Sequence, residues 1–143
     1  MMSENKINIR NLASGDRAVS GLLSGFTGGL VMAVIIVLVG LVAGDSWLET
    51  INRFNPFGQG SPVQGVLLHL GVSAVYGIVF GLLLPILPRR LPAWLAGLAY
   101  GLLLFGLAQL VILPGTGSGL AGLPLWGLAA AHGVYGLVLG MRS

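Results

Sequence analysis

The chain of 143 residues has no cysteine, which excludes disulfides, thiolate metal sites, iron-sulfur clusters and cysteine nucleophiles together. Charge is almost as scarce. Seven Lys and Arg with four Asp and Glu make up 8% of the chain, against about 25% in an ordinary soluble domain. With 55% hydrophobic residues, too little polar surface remains to face water, and the composition predicts an all-α protein embedded in a lipid bilayer. The cations form no basic stripe, so a net charge of +3 does not point to nucleic acid. No Asp, Glu, Lys or Arg falls inside an apolar run. A carboxylate proton relay, a voltage sensor and a charge-pairing ion pump therefore lack their essential groups. A HExxH motif, a GxSxG elbow and an intramembrane aspartate pair are missing too, so no enzymatic activity is expected. The run from Pro114 to Gly119 shares only its glycines with a phosphate loop and reads as a flexible turn.

What the sequence does have is apolar length. About 20 residues cross a hydrocarbon core of roughly 30 Å, and windows of that kind lie near 20 to 43, 63 to 87, 92 to 113 and 122 to 141. These predict a polytopic four-helix membrane bundle after an N-terminal segment of residues 1 to 19. The first window exceeds a signal-peptide core of roughly 7 to 15 residues and reads as a retained span. Pro62, Pro92 and Pro124 suit first helical turns, Pro88 and Pro114 suit positions just past a helix end, and Pro85 marks either a kink or an early stop. Lys6, Arg10, Arg17, Arg89, Arg90 and Arg142 fall on one side of these spans and Arg53 alone on the other. The positive-inside rule then puts both ends of the chain and the 88 to 92 connection in the cytoplasm. Trp47 and Trp126 would mark the outer interface and Trp94 the inner one. In the first outer loop Ser46 and Glu49 match a capping box, and Trp47, Leu48, Ile51 and Phe54 recur at helical spacing. A short helix over about 46 to 54 is expected, its apolar face in the lipid boundary or docked on a partner.

The spans also resemble two parallel helical hairpins. Pro62, Gly65 and Gly71 keep the spacing of Pro124, Gly127 and Gly133, and after a three-residue offset Tyr76, Gly77 and Gly81 echo Tyr135, Gly136 and Gly140. Small residues four apart let helices approach closely in lipid. Gly21, Gly25 and Gly29 form such a ladder, and Gly77 with Gly81, Gly97 with Gly101 and Gly136 with Gly140 form pairs. They fall in the cytoplasmic half, whereas Val31 to Val39 is bulky. A bundle tight below and wider above is expected, with some glycines available to a second copy.

The wider half receives the polar side chains. By the 1.5 Å rise per residue His69 and His132 lie roughly 10 to 12 Å below the outer surface and Gln109 about 7 to 8 Å, with Tyr76, Tyr100 and Tyr135 deeper. Three readings stay open for His69, Gln109, His132, Tyr76 and Tyr135. They fix helix rotation by hydrogen bonds among themselves or to backbone; they line an outward vestibule for a small solute; or the two imidazoles hold a b-type haem. A metal ion is poorly served by two ligands, so no metal is expected.

Pro62 to Gly81, Gln109 through Pro114 and Gly115, and Ala131-His132 followed by Tyr135, Gly136 and Gly140 together resemble a family of small four-helix membrane proteins of bacteria and haloarchaea, and more distantly the YagU-like inner-membrane proteins. The resemblance covers roughly residues 20 to 141, and Ala131 stands where the closing phrase often has glycine. It implies a multi-pass protein of a prokaryotic plasma membrane and marks His69, Gln109, His132 and Tyr135 for testing. By exclusion the expected role is an accessory or structural subunit of a larger membrane complex, energy-transducing ones included, or a homo-oligomer. A small channel or facilitator is the alternative, and a haem-binding protein the third reading.

Overall fold

The computed structural model describes residues 12 to 58 and 60 to 142; Lys6 and Arg10, which carry part of the charge asymmetry, lie outside the described residues. All regular structure among the described residues is helical. Helix α1 (Ser14–Ala43) opens with Asp16 in its first turn, where a carboxylate meets the positive helix end. It stops at Gly44, whose φ of 98° only glycine adopts cheaply. The amides of Gly44 and Asp45 then bond back to the Leu41 and Gly40 carbonyls at 3.2 and 2.9 Å.

Helix α2 (Trp47–Asn52) is closed at its start by the capping box: the Glu49 amide donates to Ser46 Oγ at 3.2 Å and the Ser46 amide to Glu49 Oε2 at 2.6 Å. Helix α3 (Pro62–Leu83) follows, with Ser61 Oγ accepting from the Val63 amide. Pro85 proves to be an early stop rather than a kink, because α3 ends at Leu83 and a 3-10 turn, Leu84–Ile86, carries the proline. Helix α4 (Ala93–Leu107) runs into a π-helical segment, Ala108–Ile112, and then the short α5 (Leu113–Thr116). A 3-10 turn over Gly119–Gly122 leads to α6 (Leu125–Met141).

Pro114 corrects an expectation. It does not follow a helix end but lies within the helical run Ala93–Thr116. A proline there has no amide for the carbonyl four residues back, and its ring collides with that carbonyl. Widening the preceding turn removes the collision, and the Leu113 amide accordingly bonds to the Ala108 carbonyl, five residues back.

Ser14–Ala43, Pro62–Ile86 and Ala93–Thr116 are long and apolar enough to cross a membrane, and Leu125–Met141 is a shorter apolar helix. The main interfaces join α1 to α3, α1 to α6 and α4 to α6, while α3 and α4 share no comparable interface. Ile36, Phe80, Leu84, Leu128, Tyr135 and Leu139 are buried where these helices meet.

Glycine sets the closest approaches. A methyl group on Gly21 or Gly25 would strike the backbone of α3 at Gly77 or Ser73, and one on Gly97 or Gly101 would strike α6 at Gly136 or His132. Gly81 and Gly140 close the two series against the carbonyls of Arg17 and Ala93. These glycines thus serve contacts inside one chain. Both interfaces use one register: Arg17, Gly21 and Gly25 stand to Gly81, Gly77 and Ser73 as Ala93, Gly97 and Gly101 stand to Gly140, Gly136 and His132. Tyr76 and Tyr135 therefore correspond. Pro62 and Pro124 fall out of step with that register, and His132 corresponds to Ser73 rather than to His69.

The short α2 also departs from the expected geometry. Trp47 and Leu48 are exposed, but Thr50 is fully buried in the notch left by Gly40, and Phe54 is 5% exposed. Its residues at helical spacing do not share one outward face, because Phe54 turns into the helix assembly.

Candidate functional site

A cavity of about 150 Å³ lies where α1, α3, α6 and the π segment converge. All five residues of the expected polar layer, His69, Gln109, His132, Tyr76 and Tyr135, line it. The rest of the wall is mainly apolar, with Met32 and Ile36 from α1 and Leu104, Leu113 and Leu128 across from them. No Asp, Glu, Lys or Arg is in the wall. A single water needs on the order of 10–15 Å³ of such space, so the cavity of about 150 Å³ has room for a multi-atom guest or several waters.

The polar side chains do not bond to one another. His69 Nε2 lies 3.0 Å from the Gly29 carbonyl on α1, and His132 Nδ1 lies 2.8 Å from the Leu128 carbonyl one turn back in α6. A carbonyl only accepts, so each of these ring nitrogens carries the hydrogen. Each ring also has an aromatic edge against it: Phe54 at 4.9 Å from His69 and Phe105 at 5.7 Å from His132, centroid to centroid. Two tyrosine hydroxyls tie neighbouring helices to the α3 backbone. Tyr135 donates to the Ser73 carbonyl at 2.6 Å and Tyr100 to the Tyr76 carbonyl at 2.9 Å. The Tyr100 bond, with the Phe80 ring 5.3 Å from that of Tyr100, joins α3 to α4 through side chains.

Gln109 is different. It sits on the π segment, and its Nε2 is buried without a hydrogen-bond partner. A buried amide donor left open costs on the order of 1–3 kcal/mol, and the π turn that Pro114 imposes holds it there. Unpaired buried groups in native folds call for a specific explanation such as a ligand or water.

A cluster around Arg53, which the sequence marks only as a topological charge, forms a roof beside the Leu120 edge of the cavity. Arg53 meets Asp45 side on, Nη2 at 3.0 Å from Oδ1 and Nε at 2.9 Å from Oδ2. Its Nη1 donates to the Gly119 carbonyl at 2.8 Å, and Ser118 Oγ donates to the Arg53 carbonyl at 3.2 Å. Leu120, on that same 3-10 turn, lines the cavity, and Phe54, next to Arg53, covers His69. The available signal is Arg53 itself, the one cation between α1 and α3 in the sequence, eight positions after an aspartate.

A haem does not fit these residues. Cofactor sites span roughly 300–1,000 Å³, this cavity is half the lower bound, and His69 Nε2 is engaged by the Gly29 carbonyl. Among the described residues no cluster of three or more His, Cys, Asp or Glu could hold a metal ion. Compared with protein-family models, curated proteins and solved structures, the chain matches none.

Proposed function

We propose that this chain is a non-enzymatic integral membrane protein that takes up a small uncharged solute in the cavity and facilitates its passage. The membrane part rests on three long apolar helices and on an outer surface of bulky residues. Val34, Leu38, Leu67, Val75, Leu103 and Leu110 are each more than half exposed, and a surface so apolar is at home in lipid. Helix α6 completes a four-helix bundle; its 17 residues are at the short limit for a span. Both ends are assigned to the cytoplasm by the charge asymmetry, which sets the Arg53 roof outside. The resemblance to small prokaryotic four-helix membrane proteins agrees with this reading and with a plasma-membrane location.

The observation that carries the solute reading is Gln109 Nε2, buried, unpartnered and in the wall shared by both histidines. A subunit that only packs against others gains nothing from an open donor inside its own helices. The test is flux. Purified protein in liposomes is expected to accelerate entry of small neutral solutes, and Gln109→Leu to slow it with the folded yield unchanged. No flux over a panel of such solutes, with recovery from native membranes in a stoichiometric larger complex, would establish an accessory subunit instead.

A further inference from the structure

The chemistry of the guest follows from counting donors and acceptors on the cavity wall, an argument that rests on the solute reading above. Each histidine spends one ring nitrogen, as a donor, on a backbone carbonyl. With no carboxylate in the wall to pair an imidazolium, both rings are neutral. The second nitrogen of each, Nδ1 of His69 and Nε2 of His132, is then a bare acceptor. The two rings are opposite tautomers for a structural reason: one reaches across to α1, the other back along its own helix. Gln109 Nε2 supplies an open donor.

We infer that the cavity takes a small uncharged amide of the urea type, with N–H donors on either side of one carbonyl. Such a molecule gives an N–H to each bare imidazole nitrogen and accepts from Gln109. A polyol of similar size fits less well. Every hydroxyl brings two acceptor lone pairs for one donor, and a wall dominated by Met32, Ile36, Leu104 and Leu128 offers that surplus only the Gln109 amide and the Tyr76 hydroxyl. An amide without N–H groups leaves both histidines unsatisfied.

The ring nitrogens report this directly. The protein, labelled with 15N-histidine in detergent, is titrated with urea and separately with tetramethylurea, which keeps the carbonyl and lacks every donor. Before addition, His69 is expected as the Nε2–H tautomer and His132 as the Nδ1–H tautomer. Urea should shift the two bare nitrogens saturably and leave the protonated ones in place, while tetramethylurea leaves all four unmoved. Gln109→Leu should raise the apparent urea dissociation constant by up to about tenfold, the effect of one lost hydrogen bond. Equal tautomers, equal responses to the two ureas, or no response to urea would each overturn the inference. No response alongside liposome flux of other neutral solutes would remove the amide class and keep the solute reading. No response together with silent liposomes would remove both, leaving a cavity that holds water alone.

Discussion

The two ends of the helix assembly solve opposite problems with different residues. At one end Gly21, Gly25, Gly77, Gly97, Gly101, Gly136 and Gly140 bring backbones so close that a single methyl group would strike a carbonyl or amide of the neighbouring helix. At the other end bulky α1 residues such as Met32 and Ile36, with a widened turn in the helix after α4, hold the backbones apart around a cavity. Close glycine contacts occur there too, and two of them seat the roof: Gly40 receives Thr50, and Gly65 lies against the backbone at Phe54 and Asn55. In the lipid setting proposed above, apolar side chains supply no hydrophobic drive between helices, and backbone proximity at one end leaves the other free to stay open.

The largest test of this contrast is a pair of glycine substitutions. Gly136→Val places a side chain against the Gly97 carbonyl and 2.9 Å from the Gly101 amide nitrogen. Both are backbone and cannot rotate away. The expected cost is about 3 kcal/mol, the upper end of ordinary overpacking, read as a lower midpoint of detergent-induced unfolding and reduced folded yield. Gly71 lies on α3 with nothing within 4 Å of where a methyl would go. Gly71→Ala should stabilise by about 0.5–1 kcal/mol, the usual gain of alanine over glycine in a helix. Equal costs at the two positions would break the comparison.

The roof gives the next effect. Arg53→Ala removes the contacts to Asp45 and Gly119. The ion pair is partly exposed, 29% and 20% for the two side chains, so solvent screening keeps the stability loss to about 1 kcal/mol or less. Access should change more than stability. Modification of His69 by a water-soluble imidazole reagent is expected to quicken, with the unfolding midpoint nearly unchanged. An unaltered rate would mean that the Arg53 contacts do not restrict entry.

Smaller again is Tyr135→Phe, which deletes the hydroxyl bond to the Ser73 carbonyl. Cross-helix hydrogen bonds in bilayers average about 0.6 kcal/mol, and the loss should be of that size, because the Ser73 carbonyl lies within α3 and keeps its place in the helical ladder. A loss several times larger would show that the cavity end also depends on specific polar closure.

Much of this is legible in the sequence. Helical character follows from continuous apolar windows, and the α2 capping box from Ser46 and Glu49, since both signals are local. All five expected polar residues line one cavity, although the prolines that gauge their height in the sequence fall out of step between α3 and α6. Rotation about the helix axis is not encoded that way. Whether His69 bonds to His132 or to the Gly29 carbonyl depends on which helices are neighbours, and the apolar helices show no amphipathic stripe to orient them. Pro114 departs from its sequence expectation for a related reason. Proline ends most helices, and only the tertiary setting, with α4 packed on α6 and the π turn absorbing the clash, keeps this one going. Arg53 counted as a topological charge because its partners, Asp45 and Gly119, belong to two different loops.

The smallest effect concerns the capping box that starts the roof helix. The Ser46 hydroxyl and backbone amide, both hydrogen-bonded within the box, hold the Glu49 carboxyl below its ordinary value of 4.5, helped slightly by the charge of Arg53. A carboxyl whose value is lowered on folding stabilises the folded form above its unfolded value, and that contribution fades as pH falls through the lowered one. The window is therefore below about pH 4.5, and nothing changes at neutral pH. The 13C resonance of the Glu49 carboxyl should titrate with a midpoint below 4.5, returning toward that value in Ser46→Ala, which removes the hydroxyl. Because the group is fully solvent-exposed, the shift reports local closure of the α2 turn. It should leave the cavity-lining histidine resonances where they are. If those resonances moved with the Glu49 titration, the roof and the cavity would be one cooperative unit, and the division between a closely packed glycine end and an open polar end would have to be redrawn.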